Sequence, residues 1–507
     1  YEVIEINSMQ VSPEFLKKNK ESFYIVSNFC GLHWDFREWL IENAEYCIYE
    51  HDHKYAPYPY NPALFKNFII PSAELMNYHF YKSAKRVFCQ SNYHKQIVQK
   101  NLKMDNITSI GGNLWSTDSL EKFREFSKKK KKKACSIMDT DLIHKNTAKA
   151  IQYCKSQNIE FDLVMDRDYI KFLDKLSNNE SFAFFPKTPE TLSRVICEAR
   201  MMGMSIKTNG LVGATKEDWF VKKGSDLIDY MYEKRQEVLK IVVDLIEEKP
   251  ENKNKKLVSI ISTFHEGEKF LEGFLENMVE QTIFDKCELI LVDSASKGTE
   301  RETIEKYTKK YDNIVYLRVE ELLKPTPCLN MAIKEASGKY LTFGFIDDRK
   351  RKDCLEILYE EIEKHGVDLV YGDVAQSKVP NETYEENDLS VLFEHSTYEF
   401  SHENMVKCLP GPMPLWKKYI HDHCSLFDDD NHNYADDWAM WLKAVVRGRR
   451  FKKVNKVVGV YLEGGRSQQE NNIEQRKEEA QLFFTHATLF GYNYNKYEPY
   501  FRQFRQG

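Results

Sequence analysis

Carboxylates recur at the ends of short apolar runs in the C-terminal half of this 507-residue chain, and their placement is the first pointer to chemistry. The run Leu257–Ser262 leads into Thr263, His265 and Glu266; ELILV ends at Asp293, YLTFGFI at Asp347 and Asp348, and DLVYG at Asp373. In open parallel α/β sheets, ligands bind beyond the carboxyl ends of the strands. One acid there is commonly a cap or a solvated loop residue, whereas acids at several such ends converge on a cation or a polar ligand. Oxygen ligands of this kind suit Mg2+ or Mn2+, which typically take one or two carboxylates plus substrate phosphates. A further pair, Asp436 and Asp437, precedes Trp438, Met440, Trp441 and Val445, an apolar set at helical spacing. Such a pair either starts the helix, where negative charge is favoured, or supplies a general base.

The N-terminal half carries a second constellation. In FFPKTPETLSRVICEARMMG, Glu190 and Glu198 stand eight positions apart. The spacing predicts a helix over 189–202, with Thr188 as cap, Pro189 in the first turn, and Leu192, Val195, Ile196 and Ala199 as its buried face. That would put Glu190 at the helix N-terminus, the end that attracts phosphate. Lys145 lies upstream in HKNTAKAIQYC, and YEHDHKY places His51, Asp52 and His53 after a strand. The histidine cluster can recognise an acceptor, hydrogen-bond within the fold, or hold a metal, although it lacks a clear third ligand.

The elements that must position these residues alternate strand with helix throughout, which implies parallel sheets. Strands are expected at Ser22–Asn28, Tyr46–Tyr49 and Arg86–Gln90, then at Ala134–Met138, Phe161–Met165, Phe182–Phe185 and Met204–Thr208. The clearest series is Leu257–Ser262, Leu289–Val292, Ile314–Val319, Tyr340–Ile346 and Leu369–Tyr371. Two charged stretches read as boundaries, the six lysines Lys128–Lys133 and the run Glu247–Lys256. The lysine run is a solvated linker or helix end, or else it meets an anionic partner or membrane surface. The expected organisation is residues 1–127 and 134–247 as two lobes, 248–256 as a linker, and 257–507 as a third α/β unit with a C-terminal tail.

Composition narrows the function classes. Hydrophobic residues are 42% and charged residues 30%, an ordinary soluble balance that excludes disorder and collagen-like chains. A net charge of -5 is too balanced for a general nucleic-acid binder. The 11 cysteines include no C-x-x-C and suit reduced thiols, hence a cytoplasmic location, with attachment at the inner face of the membrane as an added possibility. No apolar run reaches the length of a membrane span, and the chain starts at Tyr1 without Met, so a segment can precede it. With only 21 glycines, long Gly-rich phosphate loops are not on offer. No such loop follows the first strand of the third segment, which argues against a nucleotidyltransferase. The aromatic, basic tail YNYNKYEPYFRQFRQG packs on its unit or meets a membrane or assembly partner.

The blocks VSIISTFHEGEKFLEGFLENMVEQT, ELILVDSASKGT, CLNMAIKEASGKYLTFGFIDD and NYADDWAMWLK, taken in order over residues 256–465, resemble glycosyltransferase family 2, of GT-A fold. The resemblance implies that Thr263, Glu266 and Asp293 line a nucleotide pocket, that Asp347 with Asp348 binds Mn2+ or Mg2+, and that Asp437, beside Asp436, is the base of an inverting transfer. Phe345 stands where the family's first Asp of F-L-D-x-D-D belongs. VYLEGGRS, with Gly464, Gly465, Arg466 and Ser467, sits where the family has a flexible lid near the diphosphate. The E-x7-E segment is similar to glycosyltransferase family 4, of GT-B fold, in which Glu190 would face the donor sugar, Glu198 the ribose and Lys145 the diphosphate. Met138-Asp139 replaces that family's Gly-Arg. The expectation is therefore an α/β protein with a GT-B-like pair of Rossmann-like lobes followed by a GT-A domain. It would transfer sugars, from UDP-sugars foremost, to a glycan or lipid-linked glycan of a surface polysaccharide, the C-terminal half with inversion and metal, the N-terminal half with retention and without metal. The alternatives are one active GT-A domain beside a non-catalytic module, and a carbohydrate-binding or scaffolding protein with degenerate sites.

Overall fold

The computed structural model describes residues 1–248, 256–464 and 472–505. Most of the expected linker, and Gly465, Arg466 and Ser467 of the expected lid, lie outside the described residues. The chain forms two compact units, one of Tyr1–Ile70 with Phe80–Glu251, the other of Pro71–His79 with Asn252–Gly507.

The first unit holds two four-stranded parallel sheets. In one, β1 (Phe23–Val26), β2 (Glu45–Glu50), β3 (Arg86–Cys89) and β4 (Ile107–Ser109) lie in sequential order. In the other, β5 (Lys132–Met138), β6 (Phe161–Val164), β7 (Asn179–Phe184) and β8 (Ser205–Thr208) take the order β6-β5-β7-β8. The chain therefore reverses its direction of travel at β5, and the switch point lies between β5 and β7. Local chemistry sets the helices between strands. Ser91 caps Asn92–Leu102 by accepting from the His94 N–H at 3.0 Å, Lys103 ends it in the left-handed region, and His94, Ile97, Val98 and Leu102 form its buried face.

Two helices tie this unit together. Leu120, Phe123 and Phe126 of Thr117–Ser127 join the second sheet's core with Phe182 and Phe184. The 23-residue helix Ser225–Glu247 packs Leu227, Ile228 and Met231 into that core, while its Val238 and Leu245 pack on Cys47, Phe88 and Ile110 of the first sheet. The lysine run is absorbed as a helix end and the first residues of β5. Lys129 pairs with Asp174 at 2.5 Å, and Lys131 donates to the Ser177 carbonyl at 2.8 Å.

The second unit has one eight-stranded sheet built from β9 (Val258–Phe264), β10 (Cys287–Ser294), β11 (Ile314–Val319), β12 (Tyr340–Phe343), β13 (Arg349–Lys350), β14 (Leu369–Ser377), β15 (Leu415–Lys417) and β16 (Phe451–Leu462). Its order is β11-β10-β9-β12-β15-β14-β16-β13. The first four are parallel and β15 runs antiparallel between β12 and β14. Every residue of β10 is buried, the continuous run that a doubly covered parallel sheet requires. The reversal between β9 and β12 brings their following loops together. A Cβ on Gly267 would lie 2.1 Å from Ile346 Cδ1, so a larger residue would force that side chain to shift.

Pro71–His79 straps onto this unit. The Asn77 and His79 N–H groups donate to the Asp422 carbonyl and Oδ1 at 2.9 and 2.6 Å, and Leu75 and Tyr78 are buried. The C-terminal helix Tyr492–Arg502 also packs down, with Phe501 stacked on Phe483 at 4.5 Å and on Trp438 at 6.3 Å. Among the described residues, no helix is long and apolar enough to cross a membrane.

Candidate functional site

Asp293 organises the carboxyl edge of the second unit's sheet. It is fully buried, and its Oδ1 accepts from the Ser296 N–H at 2.9 Å. Oδ2 accepts from Tyr316 Oη at 2.7 Å and Arg318 Nη1 at 2.6 Å. Tyr316 and Arg318 are two apart on β11 and so share a face of the sheet, with Arg318 directly across from Asp293 in register. Burial raises the cost of the Asp293 charge, but bonds from Ser296 and Tyr316 and the Arg318 guanidinium outweigh it and hold the pKa below its ordinary value. The loop after β9 is tied to the same edge, with His265 Nδ1 2.7 Å from the Ser294 carbonyl and the Glu266 N–H donating to Ser296 Oγ at 2.9 Å. Glu266 and Ala295 hold φ of +50° and +57°, left-handed values that non-glycine residues take mainly where surrounding contacts enforce them. Thr263, half-buried, pairs in register with Val292.

Asp347 and Asp348 follow β12. Arg349, 2% exposed, pins this loop from beneath by donating to the Ile346 and Asp348 carbonyls at 2.9 and 2.7 Å. Asp347 is partly exposed, and no side chain among the described residues hydrogen-bonds its carboxylate. Asp348 lies inside. Its Oδ1 accepts from the Leu462 N–H at 3.2 Å, its Oδ2 is buried without a partner, and burial together with the neighbouring Asp347 charge pushes its pKa well above the ordinary value. A free, partly exposed carboxylate above an orphaned buried oxygen fits a divalent cation completed by phosphate oxygens. An all-protein site does not fit, since no group of three or more His, Cys, Asp or Glu among the described residues could hold a metal ion. Asp373, the fourth strand-end acid, does not join the site, because Lys453 pairs with it at 3.0 Å.

Asp436 and Asp437 open the helix Asp436–Val446. Thr326 Oγ1 donates to Asp436 Oδ2 at 2.8 Å, while Asp437 receives Cys408 Sγ at 3.3 Å and the Trp438 N–H at 2.6 Å. Burial, reinforced by the Asp437 charge, pushes Asp436 up to about 6, and burial raises Asp437 as well. A carboxylate tuned toward neutrality is what a general base near physiological pH requires. This pair is linked to the strand-end acids through the fold. Ser294 Oγ exchanges hydrogen bonds with the Leu323 backbone, to its carbonyl at 3.0 Å and from its N–H at 2.8 Å, and Thr326 follows three residues later.

In the first unit, Lys145 and Glu190 meet at the switch point between β5 and β7, with Nζ 2.8 Å from Oε1. The expected helix over 189–202 is shorter, Arg194–Met201, and Glu190 is not at its N-terminus. Glu190 instead forms a β-bridge with Val212, its N–H donating to the Leu211 carbonyl and its carbonyl accepting from the Gly213 N–H, and Ser193 at φ +69° breaks the helix before it can reach back. Glu198 lies in that helix and lines a cavity of about 480 Å³ with Met138, Tyr169, Phe172, Arg194 and Val195. Its Oε1 already accepts from Tyr169 Oη at 2.6 Å and Trp115 Nε1 at 3.2 Å.

His51 and His53 divide. His53 is 3% exposed and its Nδ1 bonds Tyr55 Oη at 2.8 Å, so it belongs to a buried network rather than to an acceptor surface. His51 is partly exposed, and its carbonyl accepts from Thr191 Oγ1 at 2.8 Å, joining the two lobes of this unit. Sequence reasoning missed Tyr316, Arg318, Thr326 and Cys408. The i, i+2 pairing of Tyr316 and Arg318 on a strand was the one signal available for them.

Residues 259–424 match the model of Glycosyl transferase family 2. Glycosyltransferase GlyG of Streptococcus pneumoniae serotype 4 is 25% identical over 150 residues, 30% of this chain and 47% of GlyG. Poly(ribitol-phosphate) beta-glucosyltransferase of Bacillus spizizenii is 24% identical over 198 residues, 38% of this chain and 30% of that protein. The putative teichuronic acid biosynthesis glycosyltransferase TuaG of Bacillus subtilis is 29% identical over 102 residues, 20% of this chain and 40% of TuaG. The chain thus spans less than half the length of each of these relatives. Among solved structures, S. aureus TarS residues 1-349 aligns with a TM-score of 0.39 at 17% identity, covering 49% of this chain and 73% of that one. The strand-end acids and the Asp347 loop lie within residues 259–424, the segment that matches Glycosyl transferase family 2, and the Asp436–Asp437 pair follows it on the same unit.

Proposed function

We propose that the chain is a two-part glycosyltransferase that moves sugars from nucleotide-sugar donors, UDP-sugars foremost, onto a growing glycan or lipid-linked glycan of a surface polysaccharide. The observation that carries the reading is the bonded path in the second unit, from Arg318 and Asp293 through Ser294 and the loop that leads to Thr326, and on to Asp436. One rigid framework thereby joins the residues that would hold a nucleotide to those that would accept a proton. Thr263, Glu266 and Asp293 line the nucleotide side, with the Asp293 carboxylate to bond a base-ring N–H. Asp347, with Asp348 beneath it, would hold Mn2+ or Mg2+, which when bound supplies positive charge against the leaving diphosphate. Asp437 takes the proton of the acceptor hydroxyl as that oxygen attacks the anomeric carbon from the face opposite the nucleotide, which inverts the centre. Asp436 stands beside it at the helix start. Relatives named for teichuronic acid and poly(ribitol-phosphate) support a surface polysaccharide as the product class.

The first unit, on this reading, binds a second donor and transfers with retention and without metal, Lys145 meeting the diphosphate, Glu190 the sugar and Glu198 the ribose. Its support is the switch-point position of Lys145 and Glu190 and the cavity lined by Glu198. A second reading, one active C-terminal unit beside a non-catalytic binding module, is favoured by the engagement of both glutamates with protein groups, Glu190 by Lys145 and Glu198 by Tyr169 and Trp115. A thermal-shift panel of UDP, GDP, CMP and their sugars, with and without Mn2+, separates these readings on wild type, Asp347→Ala and Glu198→Ala. The two-part enzyme predicts that each variant loses a different subset of responses. If both variants respond like wild type to every nucleotide, the site assignments fail.

A further inference from the structure

The helix Asp436–Val446 has no capping side chain at its N-cap residue, and this exposes a role for a residue more than forty positions away. Its N-cap is Ala435, which has no side chain to accept the orphan N–H groups that every helix start presents. Asp437 takes one of them, the Trp438 N–H at 2.6 Å, as acids at a helix start do. The cap residue's own N–H and the two before it have an acceptor from elsewhere in the chain. Glu478, on the helix Ile473–Thr485, takes the Asn433 N–H on both carboxylate oxygens at 3.0 Å, and the Tyr434 and Ala435 N–H groups on Oε2 at 2.9 and 3.2 Å. No cationic side chain among the described residues pairs with Glu478, so its charge is directed at these three consecutive amides, in charge-assisted bonds about twice as strong as neutral ones. The same helix is seated by Phe483 on Phe501, which stacks on Trp438, the residue after Asp437. Residues 473–485 lie beyond the family-matched segment 259–424.

We propose that Glu478 is a positioning residue for the Asp436–Asp437 pair. It satisfies the amides entering their helix, so that Asp436 stays on Thr326 and Asp437 stays oriented as the base. The proposal rests on the transferase reading given above.

The test uses the full-length protein and the variants Glu478→Ala, Glu478→Gln and Asp437→Asn. The first measurement is Mn2+-dependent hydrolysis of UDP-glucose, UDP-galactose, UDP-N-acetylglucosamine and GDP-mannose, with water as acceptor. Glu478→Ala lowers kcat by about 10- to 100-fold, the cost of a small misplacement at a reacting centre, while donor KM changes less than about twofold. Glu478→Gln, whose amide oxygen can still accept these N–H groups, recovers most of the loss. Unchanged kcat, or a loss seen equally in donor affinity, overturns the proposal. The second measurement, hydrogen exchange at Asn433, Tyr434 and Ala435, needs no turnover. Exchange accelerates in Glu478→Ala if the carboxylate holds these amides, and identical exchange overturns the proposal by itself. A wild type that neither binds nor hydrolyses any donor refutes the transferase reading instead, leaving exchange to decide whether Glu478 holds the helix start.

Discussion

Replacing Asp436 with asparagine should make the second unit more stable at neutral pH and less active at the same time. Burial first, and the Asp437 charge second, raise Asp436 from 3.8 to about 6, against the opposing pull of the Thr326 hydroxyl. An acid whose folded pKa exceeds its unfolded one costs stability above the folded value, and the cost fades as pH falls toward the unfolded value. The rise is worth up to ~3 kcal/mol above pH 6, an upper figure because the pair is only partly shielded from water. Asparagine keeps an oxygen for Thr326 Oγ1 and removes the charge. At about 2 to 4 °C per kcal/mol for a unit of this size, Asp436→Asn should raise the melting temperature by at most roughly 6 to 12 °C at pH 7.5. The gain should shrink as pH falls through 6 and vanish only once pH drops below the unfolded value of 3.8. The assay is a thermal melt of both proteins across pH 4.5 to 8, with donor hydrolysis measured in parallel. Equal melting temperatures at every pH would refute the idea that this site stores electrostatic strain for proton transfer.

Other perturbations have equally definite outcomes. Arg318→Ala leaves buried Asp293 short of its charged partner and should cost about 1.5 to 3 kcal/mol at pH 7, read by denaturation. Because Asp293 has a depressed folded pKa, that contribution is present above the unfolded value and should be lost as pH falls below it. A fragment of residues 256–507 lacks the strap Pro71–His79 and exposes the surface that Leu75 and Tyr78 cover, so it should melt below the corresponding transition of the full chain by an amount matching about 3 to 6 kcal/mol. Equal melting would show that the strap contributes nothing. Gly213→Ala places a Cβ 2.2 Å from the Thr191 carbonyl oxygen and 2.5 Å from Ser91 Oγ, and should destabilise the first unit by about 1 to 3 kcal/mol or more, seen as a lowered first-unit transition.

Strand ends were the legible part of this sequence. Asp293 and Asp347 could be read because an apolar run stops abruptly at a carboxylate, and the Asp436–Asp437 pair because an apolar set at helical spacing follows it; local pattern is enough to see both. Asp373 obeyed the same pattern and proved to be an ion pair with Lys453, since the pattern says nothing about a partner on β16. Tertiary contacts overrode the helix start at Pro189, where Leu211–Gly213 captures the Glu190 backbone and the helix waits until Arg194. β13, β15 and β16, which complete the large sheet, were too short or too mixed in composition to stand out. Glu478 was invisible for a different reason. Its amide partners lie more than forty residues away in the chain and contribute only backbone groups, which carry no sequence signal. The strap Pro71–His79 reads as an ordinary loop because its bonds to Asp422 also run through backbone atoms.

On the proposed reading, Asp347 and Asp437 serve one metal-assisted sugar transfer. The most direct test is release of nucleoside diphosphate from UDP-sugars and GDP-mannose by the full-length protein, comparing wild type, Asp347→Ala and Asp437→Asn with Mn2+ and with chelator. Wild type should show metal-dependent release, Asp347→Ala should lose that dependence together with most turnover, and Asp437→Asn should show a low kcat with retained donor binding. Turnover in both variants equal to wild type, or release by wild type that chelator leaves unchanged, would contradict it.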